Sequence, residues 1–317
     1  MLKKSMLKYL ASFFIPVLLC VAGCNRFRGD QEIPSYLRID SISIIPAFGL
    51  TPTSGIVDAW ITLDGWNIGC YQLPLCIPVL KRGESEVLIQ AGILRNNLSL
   101  RRGIYPFYSG VKFTVNFVED SIINVTLKED KKMQTAVTMR NSYQYLLLNE
   151  DFERSGRHSF DTISGFGSVL LEMKQCNTVP ASTPEHLYGD KVGHIRLKKG
   201  DSCCIQTRET FIKGTETELP YNQPIFVEID YLTNNQFEVG VVSRMSNRPY
   251  FHPIVIVGSQ RNPEWSKIYV EISNFITEQL YNGVEEFKIF IRSKLDDDNQ
   301  EANIYLDNIR LVFNQRN

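Results

Sequence analysis

The sequence has almost no net charge, 34 basic against 35 acidic residues in 317. That excludes the broad basic surface needed to release counterions from nucleic-acid phosphates, so no nucleic-acid partner is expected. Enzyme signatures are also missing: there is no Gly-x-Ser-x-Gly elbow, His-Glu-x-x-His helix, phosphate-cradling glycine loop or dinucleotide fingerprint. Only four histidines occur, scattered at His158, His186, His194 and His252. A glycosidase would need two opposed carboxylates, which have no local spacing rule, so motif absence weighs against an enzyme without forbidding one. No CxxC pair with matching histidines is present, which removes a structural zinc site. Beyond the amino terminus no apolar run approaches the ~20 residues of a bilayer-spanning helix.

The amino terminus carries the one strong signal. Lys3, Lys4 and Lys8 precede an apolar run from Tyr9 to Val21, then Val21-Ala22-Gly23-Cys24 and a polar stretch. A charged start, a short apolar core and small residues before a cleavage point describe a secretory signal. The four residues ending at Cys24 resemble the bacterial lipobox, which implies a signal peptide over 1–23, a lipid on Cys24 and a tether over 24–32. The implied localisation is the cell envelope, anchored in the outer membrane. Arg26 and Arg28 depart from the acidic export signal that follows the lipidated Cys in some Bacteroidetes lipoproteins, and leave the leaflet open. Of the five remaining cysteines, Cys70 and Cys76 lie close enough to bridge across the turn at Pro74, while burial as small hydrophobes suits most of them.

The body reads as two β domains, 33–140 and 141–317. Val111 to Phe117 alternates apolar and polar residues, and Ala59 to Leu63 turns through Asp64-Gly65 into Trp66 to Cys70, a strong hairpin signal. Short strands at regular spacing predict a small Ig-like sandwich. The charge run Lys128 to Lys132 marks a solvated connection. In the second half, runs at 267–272 and 287–292 alternate with period two, 225–231 and 237–241 give two more strands, and a short helical turn is expected at 275–281. This predicts a double-sheet jelly roll, and so an all-β chain.

The stretch Asp58 to Gly69 resembles the PEGA-like hairpins of bacterial surface proteins, without their Pro-Glu-Gly-Ala. Asn149-Glu150-Asp151-Phe152-Glu153, Trp265 to Val270 and Tyr305 to Leu311 resemble the galactose-binding-like jelly roll shared by many carbohydrate-binding modules. The order of tether, sandwich and jelly roll resembles Bacteroidetes-type surface lipoproteins. That resemblance implies a lipid-anchored, noncatalytic envelope protein binding glycan or another extracellular polymer. The alternative is a structural subunit that packs against protein partners in an envelope complex.

A sugar site needs flat aromatic faces flanked by polar groups. Tyr250, His252 and Arg248, with Asn247 and Arg244, form one candidate cluster. Tyr221 lies in a second loop, Tyr188 and His186 in a third, and Trp265 opens a strand. Counting by twos places Asp307 on the face of Ile309, Leu311 and Phe313, the expected core side, where a lone carboxylate needs a partner. Related jelly rolls imply a structural calcium shared between Asp307 and Asp151 or Glu153; the plain alternative is a carboxylate accepting backbone N–H bonds, or a strand end outside the core. The acidic run Asp296 to Glu301 lacks the glycine of a calcium loop and reads as a solvated hairpin.

Overall fold

Two β sandwiches follow one another in this computed structural model, which describes residues 32–47, 50–125, 136–140 (backbone), 145–154, 156–163, 165–180, 188–245, 248–297 and 299–314. Cys24, His186, Asn247 and the charge run at 128–132 lie outside the described residues.

The first domain comprises β1 (Ser35–Ile39), β2 (Ser41–Ile45), β3 (Asp58–Leu63), β4 (Trp66–Gln72), β5 (Leu75–Val79), β6 (Gly83–Leu94), β7 (Arg102–Ile104), β8 (Val111–Phe117), β9 (Ile122–Asn124) and β10 (Ala136–Arg140). One sheet runs β4-β3-β6-β7, with β8 also on β6; β5-β1-β9 and the pair β10-β2 make up the rest. The expected β3–β4 hairpin is present, Asp64 and Gly65 taking φ of 47° and 82° as a tight turn demands. Alternation sets the faces: Val87, Ile89 and Ala91 of β6 are buried, with the more exposed Leu88 and Gln90 between them. Cys70 and Cys76 are unbridged, and Cys76 is exposed, whereas Cys176, Cys203 and Cys204 are buried as small hydrophobes.

The second domain comprises β11 (Tyr145–Glu150), β12 (Phe160–Thr162), β13 (Glu172–Gln175), β14 (Lys191–Lys198), β15 (Ser202–Thr207), β16 (Phe211–Ile212), β17 (Ile225–Thr233), β18 (Phe237–Met245), β19 (Arg248–Val257), β20 (Ser266–Glu271), α1 (Ser273–Tyr281), β21 (Glu286–Lys294) and β22 (Glu301–Phe313). A front sheet, β13-β14-β22-β17-β20 with β11 on β22, stacks on a back sheet, β12-β15-β21-β18-β19 with β16 on β21. Ile225, Val227 and Ile229 of the front sheet share a core with Val239, Val241, Ile289 and Ile291 of the back sheet. All nine residues of β17 are buried, which one sandwich core cannot explain. The first domain covers the other face at Phe226 to Asp230, and second-domain residues cover Leu232.

That covered face corrects the count by twos on β22. Val227 pairs with Leu311 and Glu228 with Arg310, but Asp230 pairs with Asp307, so the register slips between them. Asn308 takes up the extra residue at φ 47°. Ile309 and Leu311 face the sandwich core, while Asp307 turns to the covered face with Arg310. It is nonetheless buried, so the need for a partner stands.

On that face Lys267 Nζ lies 3.0 Å from Asp230 Oδ1 and 3.3 Å from Glu228 Oε2, with all three side chains at most 2% exposed. From the first domain, Tyr105 donates to Glu228 Oε1 at 2.5 Å, Thr53 Oγ1 lies 3.2 Å from Lys267 Nζ, and Thr51 accepts from Arg310 at 2.7 Å. Tyr105 also packs edge-on to Phe226, with ring centroids 5.2 Å apart. Burial first, and then Glu228, drive the Tyr105 phenol well above its ordinary pKa, so it stays a donor. Removing one partner of a buried ion pair costs about 3–5 kcal/mol. Lys267→Met, which leaves Glu228 and Asp230 without their cation, is expected to cost that much in urea unfolding. A cost below about 1 kcal/mol would show that the network does not hold the domains together.

Candidate functional site

The covered face is not sealed along its whole length. Alongside the Lys267–Asp230 pair, a cleft of about 760 Å³ opens between the domains. Its first-domain wall includes Ile44, the segment Pro52 to Gly55, Leu94 and Asn97. Its second-domain wall includes Asp230, Tyr231, Lys267, Trp265 and Tyr188.

Strand alternation sets the wall. Lys267 and Tyr269 point to the covered face because Ile268 and Val270 point into the sandwich core. Trp265 comes just before β20 and stacks on Tyr188, ring centroids 4.2 Å apart and planes 22° from parallel. The pair belongs to a small apolar cluster with Cys176, Val179, Val192, Leu232 and Tyr305 on the same sheet face. Tyr188 is nearly buried and Trp265 half-buried, so the indole offers the cleft a flat aromatic surface. Burial, followed by the nearby charges of Asp230 and Asp307, raises the Tyr188 phenol far above its usual range. Asn97 donates to the Tyr231 hydroxyl at 3.2 Å and Gln260 to Ser266 Oγ at 3.0 Å, which fixes polar groups around the apolar surface.

The carboxylates are committed. Asp230 is held by Lys267 on one oxygen and by the Asn308 amide, at 2.9 Å, on the other. Asp307 accepts from the Asn308 backbone N–H at 2.7 Å and its side-chain amide at 3.3 Å. Burial, with Asp230 and Asp151 adding to it, pushes the Asp307 carboxyl well above the ordinary range despite those bonds. Beside it, Glu228 and Asp230 face Lys267 and Arg310, two carboxylates against two cations.

The other residues singled out by sequence lie elsewhere. Arg248, Tyr250 and His252 are on β19, at the edge of the back sheet. Tyr250 is about half exposed; His252 Nε2 meets Ser243 Oγ at 2.9 Å and its ring lies 4.8 Å from Phe275 of α1. Burial lowers the His252 pKa. Arg244, on β18, is paired with Glu286. Tyr221 is exposed in the turn before β17, where Asn222 N–H donates to Thr277 of α1. Of the aromatic residues singled out by sequence, Trp265 and Tyr188 reach the cleft, where they meet.

For calcium, Glu153 Oε1 accepts the Lys191 N–H at 2.8 Å and Asp151 Oδ1 the Glu153 N–H at 3.3 Å. Among the described residues no three His, Cys, Asp or Glu side chains gather into one group. The acidic carboxylate fully buried beside them is Glu150, which accepts backbone N–H bonds from Phe152 and Ser159. Sequence reasoning passed over Glu228, Asp230 and Lys267. The available signal was the row Phe226, Glu228, Asp230, Leu232, whose apolar ends mark a covered face.

No protein-family model matches the chain, and no curated protein matches it. Among solved structures, one described as addressing the promiscuous specificity of carbohydrate-binding modules of the β-sandwich superfamily is similar at 10% identity, covering 89% of this chain and 99% of its own, with a TM-score of 0.37. A family 29 carbohydrate-binding module from Piromyces equi is similar at 10% identity over 50% of this chain and 84% of its own, with a TM-score of 0.30. The family 11 module of a cellulosomal cellulase of Clostridium thermocellum is similar at 12% identity over 53% of this chain and 94% of its own, with a TM-score of 0.31. At these identities and TM-scores the likenesses carry no argument about ligand. The strand order itself defines the class: an all-β chain, a small sandwich followed by a jelly roll, with a cleft where they meet.

Asp307 supplies a pH test. Its folded pKa is raised above the unfolded ~3.9, so its contribution to stability is full below that value and falls as pH rises towards the folded pKa. Asp307→Asn removes this titration. The variant's unfolding free energy is expected to decline less than that of the parent from pH 4 towards neutrality, measured by urea melts. Parallel profiles would show that Asp307 titrates normally.

Proposed function

We propose that the chain is a lipid-anchored, noncatalytic envelope protein, tethered in the outer membrane through Cys24, whose second domain binds glycan or another extracellular polymer in the cleft. The observation that carries this reading is the indole face of Trp265, backed by Tyr188, beside the neutral hydrogen-bonding groups of Asn97, Ser266 and Thr53. A pyranose presents a flat C–H surface rimmed by hydroxyls. An aromatic plane with amide and hydroxyl partners at its margin is complementary to it.

The noncatalytic part of the reading is supported by the state of the cleft's acids. Glycoside hydrolysis needs one carboxyl free to protonate the leaving oxygen and another free to attack or to activate water. Glu228 and Asp230 share the Lys267 ammonium and accept further bonds from Tyr105 and Asn308, so neither is available at the cleft surface.

The test is a glycan array probed with the mature protein in detergent, with and without calcium. Trp265→Ala and, on the opposite wall, Asn97→Ala are each expected to weaken a saturable hit at least about tenfold, roughly 1.4 kcal/mol, with folding unchanged by circular dichroism. If binding survives both, the cleft is not the site. Silence across plant, host and bacterial glycans would favour a protein partner in the envelope.

A further inference from the structure

We propose that the end of the first domain nearest the tether rests in the interface of the lipid bilayer, with Trp66 and Leu80 as its inserted side chains. The inference rests on the reading of Cys24 as the lipidated residue. It concerns a surface that the glycan reading does not use.

Four chain segments meet at this end. β1 begins at Ser35 opposite Val79, the last residue of β5, and the Ser35 hydroxyl bonds to the Val79 carbonyl at 3.2 Å. Asp120 N–H donates to the Pro34 carbonyl at 3.1 Å, which brings the turn after β8 to the same place. Arg82 pairs with Glu119, and Lys81 reaches Asp64, at 2.8 Å, in the hairpin turn just before Trp66. These contacts link Trp66, Leu80, Val118 and Ile33, which are 80%, 62%, 56% and 52% exposed. Single exposed apolar residues are ordinary on a soluble surface. Four brought to one end by four segments, one of them a tryptophan in the open, are not explained by any packing within the chain.

The occupant follows from where the chain leads. Ile33 lies nine residues beyond Cys24, a link of at most ~30 Å fully extended. An anchor at Cys24 therefore holds this end within reach of the headgroups. At the opposite end Arg95 and Asn96 meet the second domain, Arg95 pairing with Glu271 and Asn96 bonding to the backbone of Tyr269 and Glu271, while Leu98 and Leu100 of the same turn are exposed.

The charge pattern says how the end would sit. Lys81 and Arg82 already have Asp64 and Glu119 as partners, so this is not a polybasic patch seeking anionic lipid. Tryptophan prefers the headgroup level, where its ring is buried and its N–H stays wet. Insertion led by Trp66 and Leu80 is then driven by apolar burial, and salt should change it little.

The experiment uses the protein purified from membranes and reconstituted into phosphatidylethanolamine vesicles containing brominated phosphatidylcholine. Mass spectrometry of the amino-terminal peptide reads the lipid on Cys24 separately from the fluorescence. The expected result is tryptophan quenching by the brominated lipid, unchanged at high salt, mostly lost in Trp66→Phe and reduced in Leu80→Asp. Both sites are exposed, so the variants should fold. Trp66 emission that ignores brominated lipid but is quenched by aqueous iodide would overturn the proposal. A self-associated form that shields Trp66 equally in detergent would overturn it too, in favour of a second copy. A lipidated chain without quenching leaves the anchor standing and removes the docking. An unlipidated chain with quenching does the reverse.

Discussion

The two-domain arrangement depends on one constraint: Lys267, Glu228, Asp230 and Arg310 are taken out of water together, so their charges must be balanced within the protein. The second domain cannot meet that demand alone. In a free jelly roll this face would be solvated, and its ion pairs would contribute little. The first domain excludes the water and supplies replacement partners in Tyr105, Thr51 and Thr53. Buried charge is a poor source of net stability, since two packed apolar surfaces would do as well or better. What it provides here is registry. An apolar interface tolerates sliding by a residue, whereas a shift of a few ångströms would strand Glu228 without Tyr105 and Lys267 without Thr53.

Registry bears directly on the cleft. The site is built from both domains, with Asn97 on one wall and Trp265 on the other, so its width is only as fixed as their relative position. Lys267 belongs to both the interface and the cleft wall, and Tyr269 two residues on accepts the Gly55 N–H at 2.9 Å and bonds Tyr108 at 2.8 Å. A ligand entering the cleft meets walls already held in place, and ordering costs that would otherwise reduce affinity have been met during folding.

Much of the fold could be read from the residues, because its strands obey a short-range rule. The Asp64-Gly65 hairpin, the alternating β8, β20 and β21, the strand β17 and the helix α1 are each encoded in a few consecutive side chains. The run Asp296 to Glu301, expected as a solvated hairpin, instead crosses from β21 of the back sheet to β22 of the front sheet, a difference no local pattern shows. Counting by twos failed at Asn308, where one extra residue in β22 moved Asp307 to the other face. The bulge is set by pairing with β17, some 80 residues earlier in the chain, and no local pattern announces it. The candidate site was less legible for a related reason. Tyr250, His252 and Arg248 are neighbours in sequence, yet Trp265 meets Tyr188 through the front sheet, and Lys267 looks like an ordinary outward-facing lysine until a second domain is laid over it.

The first domain acquires a mechanical role from its strand direction. β6 runs twelve residues, about 40 Å at strand rise, from Gly83 at the end bearing Leu80 and Trp66 to Leu94 beside the cleft. If the chain is held at Cys24, the cleft stands off the membrane by about the length of this strand. The jelly roll is not free to swing about that support, because the interface binding it is a charge network rather than a linker. A site that must meet an extended polymer gains from both properties: distance clears the headgroups, and a rigid mount keeps the aromatic wall facing one way. A flexible tether would supply the reach without the orientation. Burying five ionisable side chains between the domains, Asp307 among them, is the structural cost of having both.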